Sequence, residues 1–129
     1  PYAPHNIDRN SVTYTGTHDN NTVLGWWCSE SSAGERLAFK TYCGHNCSGS
    51  EAASAMVTLA LMSSSDLAVI PMQDILGLGG ESRMNIPGTA SGNWVWRMSD
   101  EDFRRATAEK SPLSMLYREK NTLYGRFCG

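Results

Sequence analysis

The sequence has little excess charge and no long apolar run, and each absence excludes a class of function. Its net charge is only −2 over 129 residues, so nothing electrostatic favours nucleic acid or an anionic membrane surface as a partner. The longest apolar stretch, 56–62, is interrupted by Thr58 and is far shorter than the roughly 20 residues that span a bilayer. Hydrophobic residues make up 40% of the chain, which excludes a disordered polypeptide.

Cysteine is also scarce. Four cysteines in 129 residues are too few for a disulfide scaffold, and we expect reduced thiols in an intracellular or organellar protein rather than a secreted one. They are Cys28, Cys43, Cys47 and Cys128. The chain begins with Pro1, without an initiator methionine or a basic-then-apolar leader, so we expect a processed chain or a piece of a longer one.

The local patterns predict two strands with helices between and after them. Residues 11–17 are rich in β-branched and aromatic side chains, which predicts a strand. Residues 66–72 form a continuous apolar run, which predicts a strand covered on both faces. Helices are predicted from Asn21 or Thr22, over 33–42, over 50–63, from Ser99, and from Ser111 to Gly125, with an irregular loop over 81–98. Strands joined by helical crossovers imply parallel neighbours and an α/β fold.

Polar residues follow both predicted strands, at 18–19 and at 73–74. The C-terminal ends of parallel strands are where such sheets carry chemistry, so this coincidence favours a site. The Asp19 carboxylate can stabilise a developing positive charge or act in acid–base chemistry, and His18 can donate a hydrogen bond to a substrate hydroxyl. An equally good interpretation is an Asx turn or helix cap formed by Asp19 and Asn20.

Two further segments allow a functional and a structural interpretation. The loop over 83–97 combines planar donors with aromatic faces, which suits sugar rings, and Asn85 favours that function. Trp94 and Trp96, taken singly, are better interpreted as side chains that fill a core. The segment 43–47 offers Cys43, His45 and Cys47 as metal ligands but no evident fourth, so incidental thiols in a loop are the favoured interpretation.

Three stretches resemble, in the same order, the 4-α-glucanotransferases of glycoside hydrolase family 77, the amylomaltases or disproportionating enzymes. The first covers 10–27, reads N-S-V-T-Y-T-G-T-H-D-N-N-T-V-L-G-W-W, and is similar to the region of their seventh barrel strand. The second covers 66–78, reads D-L-A-V-I-P-M-Q-D-I-L-G-L, and is similar to their eighth strand. The third covers 83–97, reads R-M-N-I-P-G-T-A-S-G-N-W-V-W-R, and is similar to the loop that follows.

The resemblance implies the C-terminal part of a (β/α)8 barrel over 1–129, with strands seven and eight and their helices in one incomplete domain. It implies a retaining transfer of α-1,4-glucan segments between malto-oligosaccharides, with glucose able to act as acceptor. It implies no metal and no organic cofactor, and the missing N-terminal part of the same barrel as a partner. The low net charge and the short apolar runs indicate no nucleic acid and no membrane as partners. It also implies a plastid or the bacterial cytoplasm as the compartment.

The resemblance carries three residues over to the site. Asp19 matches the carboxylate that steadies the oxocarbenium-like transition state, His18 matches the neighbour that bonds sugar hydroxyls at the cleavage point, and Asn85 falls at a sugar-contact position.

The same resemblance leaves the site incomplete. Retaining chemistry needs a nucleophile and an acid/base carboxyl about 5 Å apart, and the family takes both from earlier strands. None of the 13 carboxylates here lies in a motif that could replace them, and a whole barrel takes about 250 residues. We therefore expect the chain alone to be inactive. The alternative is a non-catalytic carbohydrate-binding or interaction module in which Asp19 is only a cap.

Overall fold

The computed structural model describes residues 3–126, and its two strands lie side by side. Strand β1 (Val12–Tyr14) pairs in parallel with strand β2 (Leu67–Val69), so that Val12 is opposite Leu67 and Tyr14 opposite Val69. The prediction of parallel neighbours is therefore confirmed. Both strands are shorter than predicted, and Pro71 limits β2 because it has no amide hydrogen for the ladder.

Helices fill the connection between the strands and the remainder of the chain. Between the strands lie α1 (Val23–Gly25), a π-helical segment (Trp26–Glu30), α2 (Ala33–Cys43) and α3 (Gly49–Met62). After β2 come α4 (Met72–Leu76), α5 (Asp100–Thr107) and α6 (Pro112–Leu123). Short 3-10 turns occupy Pro4–Asn6 and Gly80–Ser82. Residues 83–98 contain no helix or strand, as predicted.

Helices α5 and α6 begin where serine side chains satisfy their free amides. The Ser99 hydroxyl accepts from the amide of Asp102 at 3.0 Å, and the Ser111 hydroxyl accepts from the amide of Ser114 at 3.0 Å. Each bond replaces an intrahelical partner that the first turn lacks. The predicted starts of α5 and α6 are thus confirmed, and α6 ends before Gly125, whose φ is +68°.

Helix α3 forms the centre of the packing, as its nearly uniform apolar sequence predicts. It contacts α1, α4 and α6, and five of its side chains are buried: Ala52, Ala53, Val57, Ala60 and Leu61. The Ser63 hydroxyl at its end donates to Thr13 Oγ1 at 3.3 Å. This bond fixes α3 under one face of the two-stranded sheet.

The other face of the sheet lies open, which corrects the prediction that the second strand is covered on both faces. The side chains of Val12, Tyr14, Leu67 and Val69 are between 41% and 54% exposed. They share one face because alternate strand residues point the same way. The helices described here pack on the opposite face, so the apolar run of β2 has a cover on one side only.

No helix in the described part of the chain is long and apolar enough to cross a membrane.

Candidate functional site

The turn from β1 to α1 carries His18 and Asp19, and its backbone is held by their neighbours. Asn20 Oδ1 accepts from the Thr17 amide at 2.8 Å, and the Thr22 hydroxyl accepts from the Gly25 amide at 3.0 Å. Among residues 3–126, the Asp19 carboxylate accepts from no backbone amide. The turn-forming role therefore belongs to Asn20 and the capping role to Thr22, and Asp19 performs neither.

Asp74 ties the two ends of this turn together. Its Oδ2 accepts from Thr15 Oγ1 at 2.6 Å, just after β1, and its Oδ1 accepts from the Val23 amide at 2.8 Å, at the start of α1. The residue is only 3% exposed. Because bonds to an ionised acceptor are the stronger ones, one buried carboxylate fixes both ends of the segment that presents His18 and Asp19.

The three residues expected in the site lie together. Asn85 Nδ2 donates to Asp19 Oδ1 at 2.6 Å, and His18 Nε2 lies 3.3 Å from the same oxygen. The side chains of His18 and Asp19 are 55% and 50% exposed. Asp19 Oδ2 has no hydrogen-bond partner within the described chain, so this oxygen is free to meet a ligand at the surface.

Arg83 connects the turn to the loop that carries Asn85. Its Nη2 donates to the Asp19 carbonyl at 2.6 Å, and its Nε donates to the Asn85 carbonyl at 2.7 Å. Its Nη1 lies 3.3 Å from Glu30 Oε1, and the Arg83 side chain is 18% exposed. This largely buried guanidinium touches the backbone on both sides of the site.

Trp94 lies at the surface beside the site, so its interpretation as a core side chain is wrong. It is 53% exposed, and its ring centroid lies 5.1 Å from that of His18. Its φ of +62° is in the left-handed region, which costs a non-glycine residue about 1 kcal/mol or more. The amide of Trp94 donates to the Met84 carbonyl at 2.7 Å, which holds the loop in this conformation. Trp96 is partly buried.

A cavity of about 530 Å³ opens at the C-terminal end of both strands. Its lining includes Gly16, His18, Asn20, Gln73, Asp74 and Arg83, and Asp19 lies beside it rather than in it. The volume is in the range of small-molecule sites, about 300–1,000 Å³. The polar residues that follow the two strands thus converge, as the sequence predicted, although Asp74 and Gln73 are buried and act on the protein itself. Gln73 Nε2 donates to the Ser82 carbonyl at 3.2 Å.

The cysteine segment brings together no set of metal ligands within the described residues. In the region 3–126 no group of three or more His, Cys, Asp or Glu side chains could hold a metal ion. Cys47 is 2% exposed and packs with Trp27 and Ala52. Burial, and secondarily the neighbouring Cys47, raise the pKa of the Cys43 thiol. Cys28, Cys43 and Cys47 form no disulfide among the described residues, and Cys128 lies outside them.

The sequence patterns predict no individual role for Arg83 or Glu30, and they do not assign Asp74 to the sugar site. The only available signal was that Asp74 directly follows an apolar run, where a carboxylate can bind backbone amides. No neighbouring residue in the sequence indicates a role for Glu30, because its partner Arg83 is 53 residues away.

Comparisons with known proteins find relatives over nearly the whole chain. The sequence model of 4-alpha-glucanotransferase, glycoside hydrolase family 77, matches residues 1–103. The chloroplastic/amyloplastic 4-alpha-glucanotransferase of Solanum tuberosum is 42% identical over 127 residues, which are 98% of this chain and 21% of that protein. The 4-alpha-glucanotransferase of Synechocystis is 47% identical over 98 residues, which are 75% of this chain and 19% of that protein.

A solved structure gives the same picture of the fold. An amylomaltase from Streptococcus agalactiae in complex with acarbose matches with a TM-score of 0.81 at 29% identity, over 95% of this chain and 23% of that one. The chain therefore spans about a fifth of the length of the curated relatives that it matches.

Proposed function

The chain belongs to the 4-alpha-glucanotransferase family, glycoside hydrolase family 77, and from this premise we propose that it forms part of a glucan site. The whole enzyme transfers α-1,4-glucan segments between malto-oligosaccharides with retention, and glucose acts as an acceptor. One observation carries the proposal. The half-exposed Asp19 carboxylate follows the C-terminal end of a parallel strand. It accepts a hydrogen bond from the side-chain amide of Asn85 and lies close to the imidazole of His18.

We propose that Asp19 stabilises positive charge as the glycosidic bond breaks. A carboxylate next to an oxocarbenium-like ring lowers the barrier because the attraction is stronger in the transition state than in the bound substrate. His18 donates to a hydroxyl of the same sugar, and Asn85 donates to Asp19 and to the sugar. The nucleophile and the acid/base carboxyl come from earlier strands of the barrel.

The proposed architecture is the C-terminal portion of a (β/α)8 barrel, with β1 and β2 as strands seven and eight. Three features support it. The open face of Val12, Tyr14, Leu67 and Val69 is where inward-pointing side chains of a barrel would pack. Neither strand has a second neighbour within the described residues. A groove of about 1,160 Å³ also runs beside β1, lined by apolar side chains of α2 and α3.

The partner that fits these surfaces is the preceding N-terminal part of the same barrel. It would supply the strands on either side of the pair and the two missing carboxyl groups. The reaction exchanges a glycosyl unit between carboxylates and hydroxyls, so we propose no metal or organic cofactor for it. The relative from Solanum tuberosum is named chloroplastic/amyloplastic, and we propose a plastid or the bacterial cytoplasm for this protein.

A graft tests the function. In a chimeric enzyme, called the graft below, this chain replaces the corresponding stretch of the Solanum tuberosum relative. The graft is incubated with maltotriose. We expect glucose and longer oligosaccharides from the graft and neither product from the isolated chain. Asp19→Asn should lower the rate by about 10²–10³-fold, the usual effect of losing one electrostatic stabiliser. The matched control is Asp100→Asn, an exposed carboxylate at the start of α5, which should keep full activity.

Two results would contradict the proposal. A folded graft that makes no product would remove the enzymatic function. An isolated chain that binds malto-oligosaccharides tightly, with no loss in the Asp19→Asn variant, would favour the non-catalytic carbohydrate-binding module.

A further inference from the structure

Arg83 is the side chain that joins the two segments of the candidate site. Asp19, in the first segment, is 64 residues away from Arg83 in sequence, and Asn85, in the second, is 2 residues away. Through Nη2 the guanidinium binds the Asp19 carbonyl, and through Nε it binds the Asn85 carbonyl, at 2.6 and 2.7 Å. The two bonds use two different nitrogens of one rigid planar group, which therefore relates the two backbones to each other.

Glu30 holds Arg83 in this orientation. Its Oε1 lies 3.3 Å from Arg83 Nη1 and accepts from Asn21 Nδ2 at 2.7 Å. Glu30 is the last residue of the π-helical segment Trp26–Glu30, a rare helical form that is often found at functional sites. The carboxylate thus links the guanidinium to Asn21, two residues after Asp19 in the same turn.

The backbones around this ion pair are packed too closely to shift freely. A Cβ atom at Gly25 would lie 2.8 Å from the Cα of Gly80 and 2.2 Å from Asn21 Oδ1. This contact brings α1 directly against the turn that precedes Arg83. Glu30 and Arg83 thus follow two segments that pack closely against each other, which favours a precisely held side chain.

From this geometry we infer that Arg83, oriented by Glu30, is a positioning residue for Asp19, and this rests on the proposed function. Of Asp19, Arg83 binds only the backbone carbonyl, and the carboxylate keeps Oδ2 for the substrate while Oδ1 accepts from Asn85. Its role is to keep the carboxylate at the distance from the sugar at which the transition-state attraction is largest. A displacement of about 1 Å can cost about 10²-fold in rate. Lysine has one ammonium group in place of the fork and cannot span both carbonyls.

The test uses the graft described above and compares Arg83→Lys in two backgrounds. In the otherwise unchanged graft, kcat for maltotriose should fall by about 10–100-fold, with KM changed by less than about threefold. In the Asp19→Asn graft, the same Arg83→Lys change should have almost no further effect on kcat, since the residue acts through Asp19. A merely structural role would lower kcat in both backgrounds alike.

Glu30→Gln is the second variant, because it keeps an acceptor oxygen and disturbs folding less. It should show a smaller fall in kcat with the same dependence on Asp19. The matched control is Arg105→Lys, which alters an arginine–carboxylate pair of 2.9 Å on α5 and should leave kcat unchanged.

The outcomes separate this inference from the proposed function. Full kcat in the Arg83→Lys graft, or equal losses in both backgrounds, would overturn the positioning role while the transferase assignment stands. A wild-type graft without activity would instead overturn the proposed function, and the inference with it.

Discussion

Removing the Asp74 carboxylate should release the turn that presents His18 and Asp19. This side chain is 3% exposed and accepts one bond from the Thr15 hydroxyl and one from the Val23 amide. These bonds lie at the two ends of the turn. In Asp74→Ala both are lost, and the buried Val23 amide at the start of α1 is left without its acceptor.

The magnitude follows from the number and kind of bonds. A hydrogen bond to a charged group contributes about 1.5–3 kcal/mol, so Asp74→Ala should cost the closed turn about 3–6 kcal/mol. Each 1.4 kcal/mol is a factor of ten in an equilibrium constant, and even the lower figure raises local opening by about 100-fold. Asp74→Asn keeps an oxygen for the Val23 amide, and its cost should be about half as large.

Hydrogen–deuterium exchange read by mass spectrometry measures this opening in the graft. Peptides that cover 15–25 should exchange about 100-fold faster or more in Asp74→Ala, with Asp74→Asn between that variant and the wild type. Peptides from α5 should not change, and Asp100→Asn is the control. If the amides of residues 15–25 exchange at the same rate in all variants, Asp74 does not hold the turn that presents His18 and Asp19.

Two further predictions concern the isolated chain. One sheet face and both outer strand edges are open, and the isolated chain should therefore self-associate or unfold without cooperativity. A chain that sediments as a monomer and unfolds in one sharp urea transition would refute the proposed strand assignment. With iodoacetamide at pH 8, Cys28, which is exposed, should react faster than Cys43, and buried Cys47 slowest. Burial raises the pKa of the Cys43 thiol, which leaves less thiolate at a given pH. The reaction rate of Cys43 should therefore still increase with pH above 9.0, the ordinary thiol value. Equal rates for all three thiols would show that α2 and α3 do not pack as described.

Local sequence chemistry was sufficient to predict most helix boundaries and the relation of the strands. Ser99 and Ser111 begin their helices because each hydroxyl meets an amide three residues on. Glycine at 125 follows the end of α6 with the positive φ that glycine adopts easily. The parallel pairing followed from two apolar strands with helices between them, which is a property of short segments and their order.

The contacts that build the site depend instead on residues far apart in sequence. Asp74 meets Thr15 across 59 positions and Arg83 meets Glu30 across 53, and no periodicity predicts which polar side chains will meet. The π-helical segment shifts Glu30 away from the position that a regular α-helix would give it.

The local sequence of β2 also does not predict how many of its faces are covered. An apolar run shows that Leu67 and Val69 suit a covered face, but it does not show which segment covers them. In the described chain that face is open.

The role of Asp19 is best tested by a crystal structure of the graft with acarbose, the molecule bound in the Streptococcus agalactiae amylomaltase structure. An Asp19 carboxylate oxygen should lie within hydrogen-bond distance, about 2.5–3.2 Å, of acarbose at the cleavage point. His18 should bond the same ring, and Arg83 should still bind the Asp19 carbonyl. Acarbose bound away from Asp19, or an Asp19 side chain turned back onto the amides of its own turn, would contradict the proposed role of this carboxylate.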